Sequence, residues 1–361
     1  MPDTFTATIE RSAVLADQLA AHPERYRVLT GDRPTGPLHL GHLFGSIQER
    51  VRLQDAGVES FVIIADYQVI TDRDTIGDVR DHVLGAVVDY LAAGIDPART
   101  TVFAHSAVPA LNQLMLPFLS LVTEAELHRN PTVKAELADS GRALSGLLLT
   151  YPVHQAADIL FCKGNLVPVG KDNAPHVEQT RVIARRFNER YAPVFPVPQV
   201  LFTAVPELPG LDGRKMSKSY GNTITLRMTA DETAAAIRRA RTDSDRRITF
   251  DPEHRPGVSA LLTTAALCSG STPQAVAEQV GDAGAGRLKQ LTTDAVNDFL
   301  AGHRRRRAEL RADPGHVLAV LRDGNRTANA IGEATLDEVR QAMGTDYGSG
   351  TQLAAASSAL A

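Results

Sequence analysis

Two histidines near the start of the chain have the spacing of a phosphate-binding pair. His39 and His42 stand three positions apart and enclose Gly41, so both imidazoles can face one ligand at the first turn of a helix. Backbone N–H groups at that turn favour anions, and Gly41 lets a flat group such as adenine approach the backbone closely. Imidazole donors there would stabilise the charge that grows on an α-phosphate during nucleophilic attack. The alternative is an ordinary helix start with two surface histidines.

A basic segment farther along the chain supplies two cations that suit a departing pyrophosphate. Lys215 and Lys218 lie within residues 207–225, a stretch rich in glycine and charge that predicts an exposed mobile loop. Such a loop can close over a triphosphate and neutralise the leaving group, and Ser217 and Ser219 add hydroxyl donors. The alternative is a solvated basic loop.

A third set of polar residues shares one face of a helix that we predict near residues 151–161. Tyr151, Gln155 and Asp158 are spaced i, i+4 and i+7, and Pro152 suits the first turn of that helix. A buried carboxylate on this face would bind a ligand that donates an N–H group and would reject a ring that cannot donate. It would not by itself exclude a phenol. The alternative is a structural hydrogen bond or ion pair of Asp158.

A turn with the sequence Gly170-Lys171-Asp172 follows a predicted strand at residues 165–169 and precedes a helix. Open α/β sheets bind ligands where their strands end, and a carboxylate there can accept hydrogen bonds from ribose hydroxyls. Asp172 would also serve as the N-cap of the following helix, and the two roles are compatible.

The elements that must position these groups alternate along the first part of the chain. The predicted strands are 26–31, 60–66, 101–105, 165–169 and 198–203. Four helical regions are predicted between them. The first begins near residue 39, the second spans about 78–93, the third fills much of 108–148, and the fourth follows residue 173. This order is typical of an α/β fold, a Rossmann-like doubly wound parallel sheet.

The character of the sequence changes near residue 226, beyond which clusters of β-branched residues are few. We therefore predict four regions, namely an N-terminal extension at 1–25, a catalytic domain at 26–225, a C-terminal helical domain at 226–344 and a disordered tail at 345–361.

Composition limits the classes of function. The 361 residues are 43% apolar and 22% charged, as in ordinary globular proteins. No apolar run approaches the roughly 20 residues of a membrane span, and no signal peptide is evident, so we predict a cytoplasmic protein. The net charge of −4 excludes a globally basic nucleic-acid coat. The basic run at 303–307 predicts a solvated surface, with an RNA backbone contact as the alternative. Cys162 and Cys268 lack metal-ligand spacing, and no protein metal site is predicted.

Taken together, the segments His39-Leu40-Gly41-His42 and Lys215-Met216-Ser217-Lys218-Ser219 resemble the HIGH and KMSKS motifs of class I aminoacyl-tRNA synthetases. The sequence GDRPTGPLHLGH at 31–42 looks like the start of the tryptophanyl and tyrosyl subgroup. The sequences YPVHQAADIL at 151–160 and VPVGKDNAPHVEQTR at 167–181 are similar to tryptophanyl-tRNA synthetases in particular. The resemblance is close over 26–225 and loose over the helical part.

This resemblance implies that ATP, with Mg²⁺ on its phosphates, activates L-tryptophan, and that the adenylate is transferred to tRNA(Trp). It implies a homodimer that binds tRNA across subunits, a tRNA-binding role for 226–344, and no DNA partner. The implied catalytic residues are His39, His42, Lys215 and Lys218. The implied ATP-binding residues are Arg33, Pro34, Thr35, Gly41, His42, Gly170, Lys171, Asp172, Val205, Lys215, Met216, Ser217, Lys218 and Ser219. The implied tryptophan-binding residues are Asp158, which would accept the indole N–H, with Tyr151, Gln155, Gln68 and Asn173.

The chain departs from the commoner bacterial pattern at several pocket positions. Gln155 stands where Met is usual, Asn173 where Gln is common, and Asp66-Tyr67-Gln68 where Asp-Gln-His is usual. We therefore expect an altered tolerance of tryptophan analogues. Three alternatives remain open: a tyrosyl-tRNA synthetase, a non-charging paralogue that binds tryptophan or a partner protein, and another nucleotidyl transferase of the same fold class.

Overall fold

A parallel sheet of five strands organises the protein. The computed structural model describes Leu15 and residues 17–71, 77–140, 143–170, 174–202 and 208–347, with the side chains of residues 139, 140 and 219 excepted. The strands are β1 Arg27–Asp32, β2 Glu59–Ile64, β3 Thr100–Ala104, β4 Leu166–Val169 and β5 Gln199–Phe202. Their spatial order is β3-β2-β1-β4-β5. The prediction of an α/β, Rossmann-like fold is confirmed.

The strand order predicts a ligand-binding crevice beside β1. This strand pairs in parallel with β2 on one side and with β4 on the other, so the two halves of the sheet extend in opposite directions from it. The strands all run the same way, and their carboxyl ends lie along one edge. Ligands bind at this edge, beside the strand where the order reverses.

Helices cover both faces of the sheet. The first, α1, consists of three successive segments, Leu40–His42, a π-helical turn Leu43–Ile47, and Gln48–Asp55. The others in the catalytic part are α2 Val79–Ala93, α3 Pro109–Leu119, α4 Glu124–Arg129, α5 Pro131–Ser140, α6 Gly146–Leu160 and α7 Ala174–Arg190. Those that follow are α8 Ala230–Arg238, α9 Pro256–Ser269, α10 Pro273–Val280, α11 Gly284–Ala312 and α12 Pro314–Met343.

The buried strand β2 divides the core into two layers. Phe61 and Ile63 point into one cluster, which includes residues of α3, α6 and α7. Val62 and Ile64 point into the other, which includes residues of α1, α2, α9 and α11. This alternation follows from the two-residue period of a strand. It explains why the segment has an unbroken apolar sequence, since both of its faces are buried.

The last helix, α12, packs directly on the edge strand β3. A Cβ added at Gly324 would lie 1.8 Å from the backbone oxygen of Val102, so only glycine permits this approach. Asn325 on the same helix also binds β3, because its Oδ1 accepts a hydrogen bond from the Ala104 N–H at 2.9 Å. The C-terminal helices are therefore anchored to the sheet that carries the site.

The helix that carries Asp158 is longer than predicted. It begins at Gly146, where the Ser145 side chain caps it by accepting a hydrogen bond from the Leu148 N–H. The prediction that Pro152 occupies its first turn is wrong, because Pro152 lies inside the helix. The apolar residues before Pro152 extend the buried face of the helix, and that burial outweighs the cost of one missing backbone hydrogen bond.

The glycine-rich segment is partly packed and partly exposed over its described part, 208–225. Leu208, Met216, Asn222 and Ile224 are all buried in it. The expectation of an exposed loop is wrong for these four side chains, which join the core cluster or satisfy the backbone of the segment itself. It holds for Arg214, Lys215 and Tyr220, which are exposed.

The basic run at 303–307 is largely tied to the protein itself. Arg306 donates to the Ala92 carbonyl at the end of α2, and Arg307 forms an ion pair with the buried Asp89 at 2.7 Å. Arg304 donates to the Met228 carbonyl, and His303 is buried. The prediction of a solvated surface is wrong for His303, Arg304 and Arg307, because α11 presents them to α2 and to the segment that precedes α8, whereas Arg305 and Arg306 are exposed.

Three smaller expectations concern the ends of the chain, membranes and cysteines. In the predicted N-terminal extension, Leu15 and Leu19 are buried against Tyr26 and residues of the sheet. The predicted disordered tail lies outside the described residues beyond position 347. Among the helices that the structure describes, none is both long and apolar enough to cross a membrane. Both cysteines are free, with Cys162 buried and Cys268 half-buried.

Candidate active site

His39 and His42 lie at the start of α1, just after the carboxyl end of β1. His42 Nδ1 accepts a hydrogen bond from the His39 N–H at 3.2 Å, and the two ring centroids are 3.8 Å apart. Burial, together with the charges of His42 and Lys218, lowers the pKa of His39 to about 3. Burial also lowers the pKa of His42 to about 4. Both rings are therefore neutral near pH 7, and since His42 accepts at Nδ1, it offers a donor at Nε2.

A buried ion pair lies beneath the two histidines. Arg50 on α1 donates to Asp32 Oδ2 at 2.7 Å, and the Tyr90 hydroxyl on α2 donates to the same oxygen at 2.6 Å. Burial alone would raise the pKa of Asp32, but the charge of Arg50 and these hydrogen bonds hold it well below its usual range. This network fixes the end of β1 relative to the helix that carries His42.

Gly41 makes room for the His39 ring. A Cβ at this position would lie 3.0 Å from His39 Cε1 and Nδ1, and 3.6 Å from the sulfur of Met216. The absence of a side chain thus allows His39 to fold over the helix start, close to the second motif. This packing role accompanies the predicted close approach of a nucleotide.

The second motif meets the first in the structure. Lys218 Nζ donates to the Gly36 carbonyl at 2.9 Å and lies 3.5 Å from Thr35 Oγ1. The segments that flank the motifs also pair, with the Leu40 N–H bonded to the Ile224 carbonyl at 3.0 Å. Two motifs that lie far apart in sequence therefore share one location at the carboxyl end of β1.

Asn222 organises the backbone of the lysine-bearing segment. Its Oδ1 accepts from the Ser217 N–H at 2.9 Å, and its Nδ2 donates to the Lys215 carbonyl at 3.0 Å and to Asp212 Oδ1 at 2.7 Å. A Cβ at Gly210 would lie 2.2 Å from this amide, so the glycine is required for close packing. Asn222 is thus a positioning residue that the sequence analysis missed.

Arg33 connects the loop after β1 to the neighbouring helices. Its Nη2 lies 3.1 Å from Glu136 Oε1 on α5. Glu136 also interacts with Tyr151 on α6, and burial followed by this neighbouring carboxylate raises the pKa of the tyrosine hydroxyl well above its usual range. The Tyr151 hydroxyl lies 3.2 Å from His176 Nε2 on α7. Pro34 is buried beside Arg33.

Asp158 lies in a buried polar cluster at the carboxyl ends of β2 and β3. Its Oδ1 is 3.3 Å from His105 Nε2, and it has no hydrogen-bond partner among the described residues. His105 Nε2 is 2.7 Å from His154 Nε2, and His154 Nδ1 is 3.1 Å from Gln68 Nε2. Burial raises the pKa of Asp158 well above its usual value.

The two histidines of this cluster are neutral for the same physical reason. Burial and the neighbouring His154 lower the pKa of His105 well below its usual value, and burial lowers that of His154 to about 4. Within the described chain, His105, His154 and Asp158 are the group whose ligand atoms lie close enough to hold a metal ion. Two nitrogens and one oxygen suit a transition metal better than Mg²⁺, which prefers oxygen ligands.

The remaining predicted residues are placed unevenly. Gly170 is exposed at the end of β4, Lys215 is exposed, and Gln155 is half-buried on α6. Lys171, Asp172, Asn173, Val205 and the side chain of Ser219 lie outside the described residues. Their predicted roles in binding ATP and tryptophan stay predictions.

Sequence reasoning missed the partners that hold the predicted groups in place. Asp32 and His105 each stand at or just after the carboxyl end of a predicted strand, and that position could have marked them as candidates. Arg50 and Tyr90 carried no such signal, because a polar residue on a helix is ordinarily expected to face solvent. His154 lies inside the segment that suggested the pocket, on the buried side of α6.

Comparison with known proteins gives consistent relatives. The family described as tRNA synthetases class I (W and Y) matches residues 22–301. A tryptophan–tRNA ligase of Lactococcus lactis subsp. lactis (strain IL1403) is 39% identical over 334 residues, which are 89% of this chain and 98% of that protein. One of Clostridium longisporum is 38% identical over 331 residues, covering 89% and 97%. The crystal structure of a Campylobacter jejuni tryptophanyl-tRNA synthetase complexed with ADP and tryptophan superposes with a TM-score of 0.78 at 30% identity, covering 88% of this chain and 99% of that one.

Proposed function

The chain belongs to the class I tRNA synthetases for tryptophan and tyrosine, and we propose that it is a tryptophan–tRNA ligase. It activates L-tryptophan with ATP to tryptophanyl-adenylate and transfers the tryptophanyl group to tRNA(Trp). The relatives that match nearly all of their own length are named for tryptophan. The tyrosyl alternative is therefore not favoured.

The observation that carries the amino-acid assignment is the unpartnered carboxylate oxygen of Asp158. A buried acceptor without a donor is costly, by about 1–3 kcal/mol. An indole N–H would remove that cost, whereas phenylalanine would leave it in place. Because burial raises the pKa of Asp158, a donor at this oxygen also stabilises the ionised form.

Activation would proceed at the carboxyl end of β1. The carboxylate of tryptophan attacks the α-phosphate of ATP, and the bond to pyrophosphate breaks. Neutral His39 and His42 donate hydrogen bonds to the phosphate oxygens on which charge grows. Lys215 and Lys218 stabilise the leaving pyrophosphate. Arg33, Thr35 and Gly170 would border the nucleotide, and we predict the same role for Lys171, Asp172 and Val205, which lie outside the described residues.

Mg²⁺ would be held by the phosphates of ATP rather than by a protein site. The metal-capable group of the described residues is two imidazoles and Asp158, which does not match the oxygen preference of Mg²⁺. When bound with ATP, the ion would supply further charge neutralisation on the phosphates.

Transfer and assembly are part of the same proposal. Residues 226–344 would bind tRNA, residues 26–225 would carry catalysis, and a homodimer would present tRNA across its subunits in the cytoplasm. Leu116 supports an interface on α3, because its side chain is 73% exposed, and large exposed apolar side chains are favoured at contacts between subunits. Sedimentation of the full chain at several concentrations tests the dimer.

The decisive experiment is ATP–pyrophosphate exchange that depends on tryptophan or tyrosine, followed by charging of tRNA(Trp). We expect exchange with tryptophan, and exchange with tyrosine alone would overturn the assignment. Asp158→Asn should raise the KM for tryptophan roughly 10- to 100-fold, since a charged acceptor is replaced by a neutral carbonyl oxygen and by an NH2 group that cannot accept the indole N–H. Asp298→Asn, on the exposed side of α11, is the matched control and should leave KM unchanged.

A further inference from the structure

The residues around Asp158 bear on how the pocket could distinguish tryptophan from tyrosine. A carboxylate that accepts the indole N–H can also accept the hydroxyl of tyrosine, so it cannot separate the two amino acids by itself. We propose that Gln68, His154 and His105 form a hydrogen-bond relay that presents only acceptors beside Asp158, and that this relay rejects tyrosine. The inference rests on the proposed function, because it assumes that Asp158 is the indole acceptor.

The relay is continuous, and its three residues are buried. It begins at Gln68 after β2, passes through His154 on α6, and ends at His105 after β3. The successive contacts are 3.1 Å from Gln68 Nε2 to His154 Nδ1 and 2.7 Å from His154 Nε2 to His105 Nε2. The exposed fractions of these three side-chain residues are 6%, 4% and 0%. Bulk solvent therefore does not compete for these groups.

The direction of each hydrogen bond follows from the orientation of the Gln68 amide, which places Nε2 rather than Oε1 at His154. Gln68 Nε2 can only donate, so His154 Nδ1 accepts. A neutral imidazole that accepts at Nδ1 carries its proton at Nε2, and His154 Nε2 therefore donates to His105 Nε2. His105 Nε2 is then an acceptor, and its proton is at Nδ1, a buried atom with no hydrogen-bond partner among the described residues. Because His105 Nε2 is 3.3 Å from Asp158 Oδ1, two acceptors stand side by side at this end of the relay.

A pair of adjacent acceptors distinguishes the two aromatic side chains. The indole N–H only donates, so it can donate to Asp158 and needs no donor from His105. A phenol can donate to Asp158, but its oxygen lone pairs would then face the lone pair of His105 and the carboxylate. A buried hydroxyl oxygen without a donor costs about 1–3 kcal/mol, and like dipoles add to that cost. The relay thus favours a ligand that donates and does not accept.

Removing the His154 side chain should allow His105 Nε2 to change from a hydrogen-bond acceptor to a donor. In His154→Leu, His105 Nε2 is free to carry a proton and to donate to Asp158 or to a phenol oxygen. We expect the ratio of kcat/KM for tryptophan to that for tyrosine to fall roughly 10- to 100-fold in pyrophosphate exchange. Gln68→Met, which removes only the donor that sets the direction, should lower the ratio in the same sense. The matched controls are His128→Leu on α4 and Gln279→Met on α10, both exposed.

Histidine tautomers give a readout that a purely structural role would not move. Nitrogen-15 NMR of histidine-labelled protein should show the His105 proton on Nδ1 in the wild type and on Nε2 in His154→Leu. A wild-type proton on His105 Nε2, or an unchanged amino-acid ratio in both folded variants, would overturn the relay. If Asp158→Asn impairs tryptophan use while the ratio is unchanged in these variants, only the relay fails. If Asp158→Asn has no effect on tryptophan use, the proposed pocket fails as well.

Discussion

Replacing Arg50 with methionine tests how strongly the site depends on the ion pair beneath it. The Arg50 guanidinium donates to Asp32 Oδ2 at 2.7 Å, to Thr30 Oγ1 at 3.2 Å and to the Gly31 carbonyl at 3.3 Å. Its side chain is 2% exposed. Methionine can occupy much of the same volume, but it leaves the Asp32 carboxylate with only the hydroxyl of Tyr90.

The expected loss follows from leaving a buried charge unpaired. Removing one partner of a buried ion pair costs about 3–5 kcal/mol. At about 2–4 °C per kcal/mol for chains of this order of size, the melting temperature should fall by roughly 6–20 °C. Pyrophosphate exchange should also slow, because the end of β1 would no longer be fixed beside the start of α1.

Urea unfolding followed by circular dichroism measures the loss. Arg52→Met is the matched control, since Arg52 lies on the same helix in an exposed ion pair with Glu49, and should cost at most about 1 kcal/mol. The double variant Asp32→Asn/Arg50→Met removes the stranded charge and should recover part of the stability. A loss below about 1 kcal/mol in Arg50→Met, or strictly additive losses in the double variant, would refute this reasoning.

Three further predictions concern catalysis, packing and pH. Lys218→Ala should slow adenylate formation roughly 100-fold or more with little change in tryptophan affinity; the chain has no Trp, so the fluorescence of bound tryptophan reports affinity directly, and equal exchange rates would contradict the assigned role. Gly324→Ala should destabilise the protein by about 3 kcal/mol or more, because its Cβ would overlap the Val102 carbonyl. The control Gly286→Ala, whose Cβ would lie in open space, should stabilise the protein by up to about 1 kcal/mol. Equal melting temperatures of the two variants would contradict the packing argument. The lowered pKa of Asp32 stabilises the fold above the unfolded pKa of about 3.9, and this contribution is lost as pH falls below it, so Asp32→Asn should show a flatter acid limb in unfolding experiments between about pH 5 and 2.

The sequence alone determined the fold class and identified the two motifs for which we propose nucleotide binding. Each motif is a contiguous segment, so its chemistry can be predicted without knowledge of tertiary contacts. The strands could also be predicted, because a strand buried on both faces needs an unbroken apolar run such as that of β2. The helical face that carries Tyr151 and Asp158 was predicted in type, although its helix begins at Gly146.

Tertiary structure alone decided which groups surround these motifs and in what state they are. Periodicity shows which face of an element is buried, but not which side chain it meets there. Thus Gln68, His105 and His154 meet at Asp158 only because β2, β3 and α6 converge, and Arg306 and Arg307 form hydrogen bonds to residues of α2. Burial also made the histidines of both clusters neutral, because desolvation penalises the charged imidazole, and that penalty depends on surroundings which a linear pattern does not contain.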